Sequence, residues 1–204
     1  MLANNAYWLT HHDYTGERRT SKRAAGVMVA TAMLGELIEA GAVGIDRGHV
    51  VALAPAPPLD LLGVDVVRQI TAERQRHPTG KWLEYLGHGM CERVGRRMVA
   101  AGVARSRRVG FRRPAVIAND GDHEPAWVHA GLVRAVQDGR ALDERQRFLL
   151  RLAQYSSVGH QILSGFDTGQ LDVALAQTAR VWPPWLDLLD TAVEAIRSAA
   201  VTRQ

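Results

Sequence analysis

The sequence has one cysteine, Cys91, so no disulfide framework can hold this chain together. Aromatic residues make up only 6%, and none lies between Glu17 and Ala40. The longest apolar run, Ala24–Leu34, has 11 residues, well short of the about 20 that a membrane-spanning helix needs. The N-terminus lacks the basic-then-apolar pattern of a secretory leader. The expected setting is therefore cytoplasmic. There is no Gly-rich phosphate loop, no His-Glu-x-x-His metal motif and no Gly-x-Ser-x-Gly elbow. What is there is a 47% hydrophobic chain of 204 residues, apolar enough to exclude global disorder and long enough to bury a substantial core.

The charge is unevenly placed. Residues 1–80 balance 8 basic against 8 acidic groups, residues 81–113 carry 9 against 2, and residues 114–204 carry 8 against 11. The central stretch holds Arg93, Arg96, Arg97, Arg105, Arg107, Arg108, Arg112 and Arg113. Arg93 and Arg97 are four apart and share a helical face, with Arg96 beside it. So many like charges on a small element destabilise it unless something neutralises them. The neutralising charge can be internal, on the acidic C-terminal helices (Asp187, Asp190, Glu194), or an external anion, since guanidinium forks suit phosphate. Nucleic acid is the weaker reading, because no helix-turn-helix or aromatic stacking pattern accompanies the charge. A winged-helix arrangement of hairpins beside helices is its one route. Arg18, Arg19, Lys22 and Arg23 form a second basic site before the N-terminus of an apolar helix, where free N–H groups favour anions.

Periodicity and turn chemistry predict a mainly α fold: a single compact helical domain over 1–204 with small β-hairpins. Residues 2–10 read as a strand or helix start. Ala24–Ala40 reads as a helix buried on most faces and stopped by Gly41. Ala42–Ile45 and His49–Leu53 flank a hairpin turn, and Ala54–Pro58 is an extended connector. Helices follow at Leu59–Arg76 and Lys81–Ala101, then a second hairpin within Val103–Ile117. Further helices are expected at Glu124–Asp138, Leu142–Leu163 with Asp143 as cap, Gln170–Val181 and Trp185–Ala200.

Candidate catalytic groups are sparse. Asp120, Asp122 and His123 suit a metal or an ordinary acidic turn. Cys91 reads as a semi-buried structural thiol. Tyr155, Ser156, Ser157 and His160 lie within two turns of a helix, where packing roles explain them. No catalytic residue, metal or cofactor is assigned.

The order of several short motifs resembles the Golgi phosphoprotein 3 family, including its bacterial, mainly actinobacterial, members. These motifs are Asp13-Tyr14-Thr15-Gly16, Leu34-Gly35-Glu36-Leu37-Ile38-Glu39-Ala40-Gly41, the Ala54–Pro58 connector, Trp82-Leu83, Glu92-Arg93 and Val99-Ala100-Ala101-Gly102-Val103. The resemblance implies a non-enzymatic, mainly helical protein lying peripherally on the inner, cytoplasmic face of a membrane. It implies binding of phosphatidylinositol 4-phosphate and of protein tails, and self-association through the later hairpin, hence a homo-oligomer. The family's headgroup pocket uses a Trp and an Arg near the first long helix, and two Arg three apart in a later one. Laid over this chain without gaps, these positions hold Ser21, Ala30, His88 and Cys91, all four departing from the pattern. The expectation is thus an anionic membrane lipid without an assigned headgroup, bound by Arg18, Arg19, Lys22, Arg23, His88, Arg93, Arg96 and Arg97. The alternative is an interaction adaptor or homo-oligomeric scaffold.

Overall fold

Eighteen consecutive residues, Lys22–Glu39, form the helix around which the others assemble (α2). Every side from Ala24 to Gly35 is buried, as its almost unbroken apolar composition requires. Ser21 caps its start, the Oγ accepting from the Ala24 N–H at 3.1 Å. The computed structural model describes residues 1–55, 57–108, 114–122, 124–154, 156–164 and 166–201.

Among the described residues the order is α1 (Leu2–Thr10), α2, β1 (Val43–Asp46), β2 (His49–Ala52), α3 (Leu61–Ala72), α4 (Thr79–Gly87), α5 (Met90–Ala100), β3 (Arg105–Arg107), β4 (Ala115–Ile117), α6 (Glu124–Gln137), α7 (Glu144–Ala153), α8 (Ser157–Leu163), α9 (Thr168–Thr178) and α10 (Pro183–Val201). Both strand pairs are antiparallel two-stranded hairpins, with Asp46 opposite His49 in the first and Arg105 opposite Ile117 in the second. The fold is mainly α, as the sequence implies. Helices α1, α4, α5 and α10 pack on α2. At the far end of α2, the Trp185 indole donates to the Gly35 carbonyl at 3.0 Å, while Phe148 meets Trp185 edge-on at 4.9 Å.

Several boundaries differ from the sequence reading. Residues 2–10 are helical. The helix expected over Leu59–Arg76 ends at Ala72, where Glu73 turns to extended backbone. The helix expected over Lys81–Ala101 is two: α4 ends at Gly87, and Gly89, at φ 96°, starts α5 in a new direction. A left-handed backbone costs glycine little, so the chain turns at Gly89 while the apolar period runs on. The helix expected over Leu142–Leu163 also divides. Ser156 caps α8, its Oγ donating to the Ala153 carbonyl and accepting from the Gly159 N–H. Asp143 does cap α7, in a capping box with Gln146. Asp167 and Gln170 make a second box, so α9 begins two residues earlier than periodicity suggests. Arg112 and Arg113, His123 and Tyr155 lie outside the described residues.

Two devices set how α5 and α4 sit on α2. The first is polar. Arg97 of α5 points inward, its side chain only 9% exposed. It donates from Nη1 to Glu36 Oε2 at 2.9 Å and Asp60 Oδ2 at 3.3 Å, and from Nη2 to Asn4 Oδ1 at 2.6 Å. Glu36 also accepts the Ala3 N–H at 2.8 Å, and Asp60 caps α3 through the Gly63 N–H at 2.7 Å. One guanidinium thus joins α1, α2, α3 and α5. The second device is steric. A Cβ on Gly26 would lie 2.3 Å from the Gly87 carbonyl oxygen, so α2 and α4 touch backbone to backbone.

Removing one member of the buried ionic group leaves the others uncompensated, which costs about 3–5 kcal/mol. Arg97→Ala is expected to lower the free energy of unfolding by that amount in urea. Arg97→Lys is expected to recover little of it, because an ammonium cannot reach three acceptors in the plane of a guanidinium fork. A loss below about 1 kcal/mol would show that the group contributes no more than a surface pair.

A cationic cleft at the meeting of three helix ends

The break at His88-Gly89 opens a cleft of about 710 Å³ between the start of α2, the end of α4 and the start of α5. Five of the eight residues expected from the sequence line it: Lys22 and Arg23 from α2, His88 from the turn, and Arg93 and Arg96 from α5. The two basic segments, some seventy residues apart in the chain, therefore meet. They do so because Gly26 and Gly87 let the two backbones cross at the floor.

The lining also holds Glu84, which the sequence reading did not single out, and Glu92, which it quoted only as part of the Glu92-Arg93 motif. Four cations face two carboxylates, and the cations are not equivalent. Arg23 pairs with Glu84 at 3.1 Å. Arg93 pairs with Asp65 of α3 at 2.5 Å, and Asp65 is itself shared with Arg68 and Gln69. Among the described residues Lys22 and Arg96 have no salt-bridge partner, and both are exposed. Helix α5 adds its own positive end, for Gly89 brings no side chain to cap the first-turn N–H groups. His88 donates from Nδ1 to the Glu84 carbonyl at 2.7 Å, which fixes its ring against the end of α4. Four basic side chains thus share one open cleft, two of them, Arg23 and Arg93, held by carboxylates.

The remaining expected residues lie elsewhere. Arg97 is inside the protein in the group described above, turned away from the cleft. Arg18 is exposed and bridges His11 across a tight loop. Arg19 is held by its backbone, its N–H donating to Thr10 at 2.8 Å and its carbonyl accepting from Ser157 Oγ at 3.1 Å. Its side chain is half-buried near Asp13. Of the four positions transferred from the family pattern, His88 lines the cleft and Ser21 caps α2 next to Lys22. Ala30 is fully buried, and Cys91 packs partly against the core.

Among the described residues three members of the arginine stretch, Arg93, Arg97 and Arg105, are compensated, and not by the C-terminal helices as the sequence allowed. Their partners are Glu36, Asp60, Asp65 and Asp120, the last bidentate to Arg105. Asp190 and Glu194 pair instead with Arg151 and Arg197. Among the described residues no group of three or more His, Cys, Asp or Glu is placed to hold a metal. Asp120 belongs to Arg105. No helix among them is long and apolar enough to cross a membrane.

A layer of titratable groups joins the end of α1 to the start of α5, with Tyr7 and His11 buried and Cys91 partly buried. His11 stacks on Tyr7 at 4.1 Å and 3°, and its Nδ1 lies 3.1 Å from the Tyr7 carbonyl. Burial, which disfavours the cation, pushes its pKa down to about 4, against the opposing pull of that hydrogen bond. Burial and then Glu92 push the Cys91 thiol up to about 12.

These observations define a mainly helical protein with a cationic cleft where helix ends converge. The chain belongs to the Golgi phosphoprotein 3 (GPP34) family, whose profile matches residues 2–201. No curated protein matches the chain.

Two consequences follow from the buried layer. The folded pKa of His11 lies below its unfolded value, so the unfolded chain binds the proton first as pH falls. Stability is expected to hold above about pH 6.5 and to fall between there and about pH 4, by about 3 kcal/mol at most. His11→Phe keeps the stacking and is expected to flatten this part of the urea-denaturation pH profile. The Cys91 thiol, protonated at neutral pH, is expected to resist iodoacetamide at pH 8 in the native protein and to react readily in urea. Equal alkylation rates in the two states would contradict its burial.

Proposed function

We propose that this protein is a non-enzymatic peripheral membrane protein that binds anionic phospholipid headgroups in the cleft between α2, α4 and α5, on the inner face of the membrane. The observation that carries this reading is the convergence of Lys22, Arg23, Arg93 and Arg96 on one open cleft, with Lys22 and Arg96 outside any salt bridge among the described residues. Family membership supports it, as does the uncapped start of α5. Guanidinium and ammonium groups on an exposed concave surface attract phosphate in water, with an affinity that salt weakens. The continuous hydrophobic cluster running from α1 to α10 supports treating the whole chain as one binding unit.

The four departures at Ser21, Ala30, His88 and Cys91 separate this cleft from the family's headgroup pattern. The reading is therefore of a phosphate-bearing surface recognised by charge, without preference for phosphatidylinositol 4-phosphate.

Co-sedimentation with acidic and neutral vesicles tests it. Binding to acidic vesicles is expected at low salt, with loss as salt rises, and adding phosphatidylinositol 4-phosphate is expected to act only through its charge. Lys22→Ala and Arg96→Ala are each expected to lower partitioning about fivefold, the worth of about 1 kcal/mol per basic residue near an anionic surface. Their melting temperatures are expected to stay unchanged, since both side chains are exposed and unpaired among the described residues. Equally negligible binding to both kinds of vesicle would overturn the reading and leave the adaptor role.

A further inference from the structure

A second cavity, of about 430 Å³, lies between the end of α3 and the start of α4, lined by Gln69, Glu73, His77, Lys81, Trp82 and Tyr85. Its size falls in the range of small-ligand sites, about 300–1,000 Å³. Three of the lining residues carry rings, and their planes are nearly orthogonal. His77 meets Trp82 at 71° with centroids 6.3 Å apart, and Tyr85 meets Trp82 at 81° and 5.8 Å. Trp82 is the buried wall, 5% exposed, while Tyr85 is 60% exposed, unusually open for a side chain of its size. Trp and Tyr rings that line a cavity can offer their electron-rich faces to an alkylated ammonium ion. Glu73, which pairs with His77 Nε2 at 3.1 Å, adds negative charge on the same side.

Lys81 is the apparent misfit, because a cation at the rim opposes a cationic ligand. It is exposed and has no salt-bridge partner among the described residues. A simple cation meets Lys81, and a simple anion meets Glu73. A molecule carrying both charges a few ångströms apart satisfies each of them. We propose that this cavity binds a zwitterion of the phosphocholine type, its alkylated ammonium against the rings of Trp82 and Tyr85 beside Glu73, and its phosphate at Lys81. The site is separate from the anionic cleft and does not rest on the function proposed for that cleft. The same chemistry is presented by soluble phosphocholine and by a phosphatidylcholine surface.

Titration of the full chain with phosphocholine, followed by NMR at the Trp82 and Tyr85 amides, tests the assignment. Saturable shifts at both amides are expected. Tyr85→Ala is expected to weaken binding about three- to fivefold, the contribution of one cation–π face at an exposed site. Lys81→Ala is expected to weaken phosphocholine while leaving tetramethylammonium unaffected. Both side chains are exposed, so both variants retain the fold. Co-sedimentation with phosphatidylcholine vesicles, reversed by soluble phosphocholine, would assign the ligand to a membrane, and soluble binding without sedimentation would assign it to a free metabolite. Absence of a saturable shift at either amide overturns the proposal, as does undiminished affinity in Tyr85→Ala. Loss of the shifts in a Lys22→Ala, Arg96→Ala double variant also overturns it, because the ligand would then sit in the cleft.

Discussion

Arg97 is the cation on which the arrangement of the helices depends. Its guanidinium reaches Glu36 on α2, Asp60 at the start of α3 and Asn4 on α1, from a side chain nearly closed to water. An uncompensated charge in such a place is costly, so each acceptor constrains the position of the helix that carries it. The acceptors are in turn occupied on their other sides. Glu36 takes a free N–H at the start of α1, and Asp60 takes one at the start of α3. Two helix ends and one arginine therefore satisfy one another, and α5 is fixed in rotation about its own axis.

That rotation decides where the other arginines of α5 go. With Arg97 turned inward, Met90, Val94 and Met98 line the core, and Arg93 and Arg96 face the start of α2 across the cleft. The backbone crossing of Gly26 over Gly87 brings α4 close enough for His88 and Glu84 to complete the lining. A single helix thus separates a structural cation from two surface cations within five residues. Asp65 extends this division of labour, since it orients Arg93 from α3 while Gln69, one turn on, holds the same carboxylate and faces the second cavity. The two concave sites share α4 as a wall: Glu84 and His88 belong to one, and Lys81, Trp82 and Tyr85 to the other.

Carboxylates inside a cationic cleft lower its net charge but raise its order. Glu84 restricts Arg23, and Asp65 restricts Arg93, so those groups lose less side-chain freedom when an anion arrives. On the function proposed above, a surface of this kind would favour a phosphate at modest affinity with strong salt dependence.

Much of the architecture was legible in the sequence. The unbroken apolar composition of Ala24–Leu34 announced a helix buried on every side, and Asp143 marked a helix start, because both follow from local rules that need no partner. The hairpin at Val43–Ala52 was legible for the same reason. The breaks at His88-Gly89 and Ser156 were not, since the 3.6-residue period continues across them and only the direction of the chain changes. The cleft was half legible: the two basic segments stood out by composition, but nothing local marked Glu84 or Asp65 as partners of Arg23 and Arg93 until the fold placed them. Arg97 was grouped with Arg93 and Arg96 by spacing, yet lies in the interior.

The sequence by itself determined the fold class, the concentration of positive charge before and after the first helices, and the family, for these depend on composition and on the order of short motifs. Only the tertiary structure decided which arginines are structural and which are free, and that the two basic segments share a cleft. The reason is physical. A charge takes its role from the acceptors brought to it across the chain, and those are fixed by how helices pack, not by what stands beside it in the sequence.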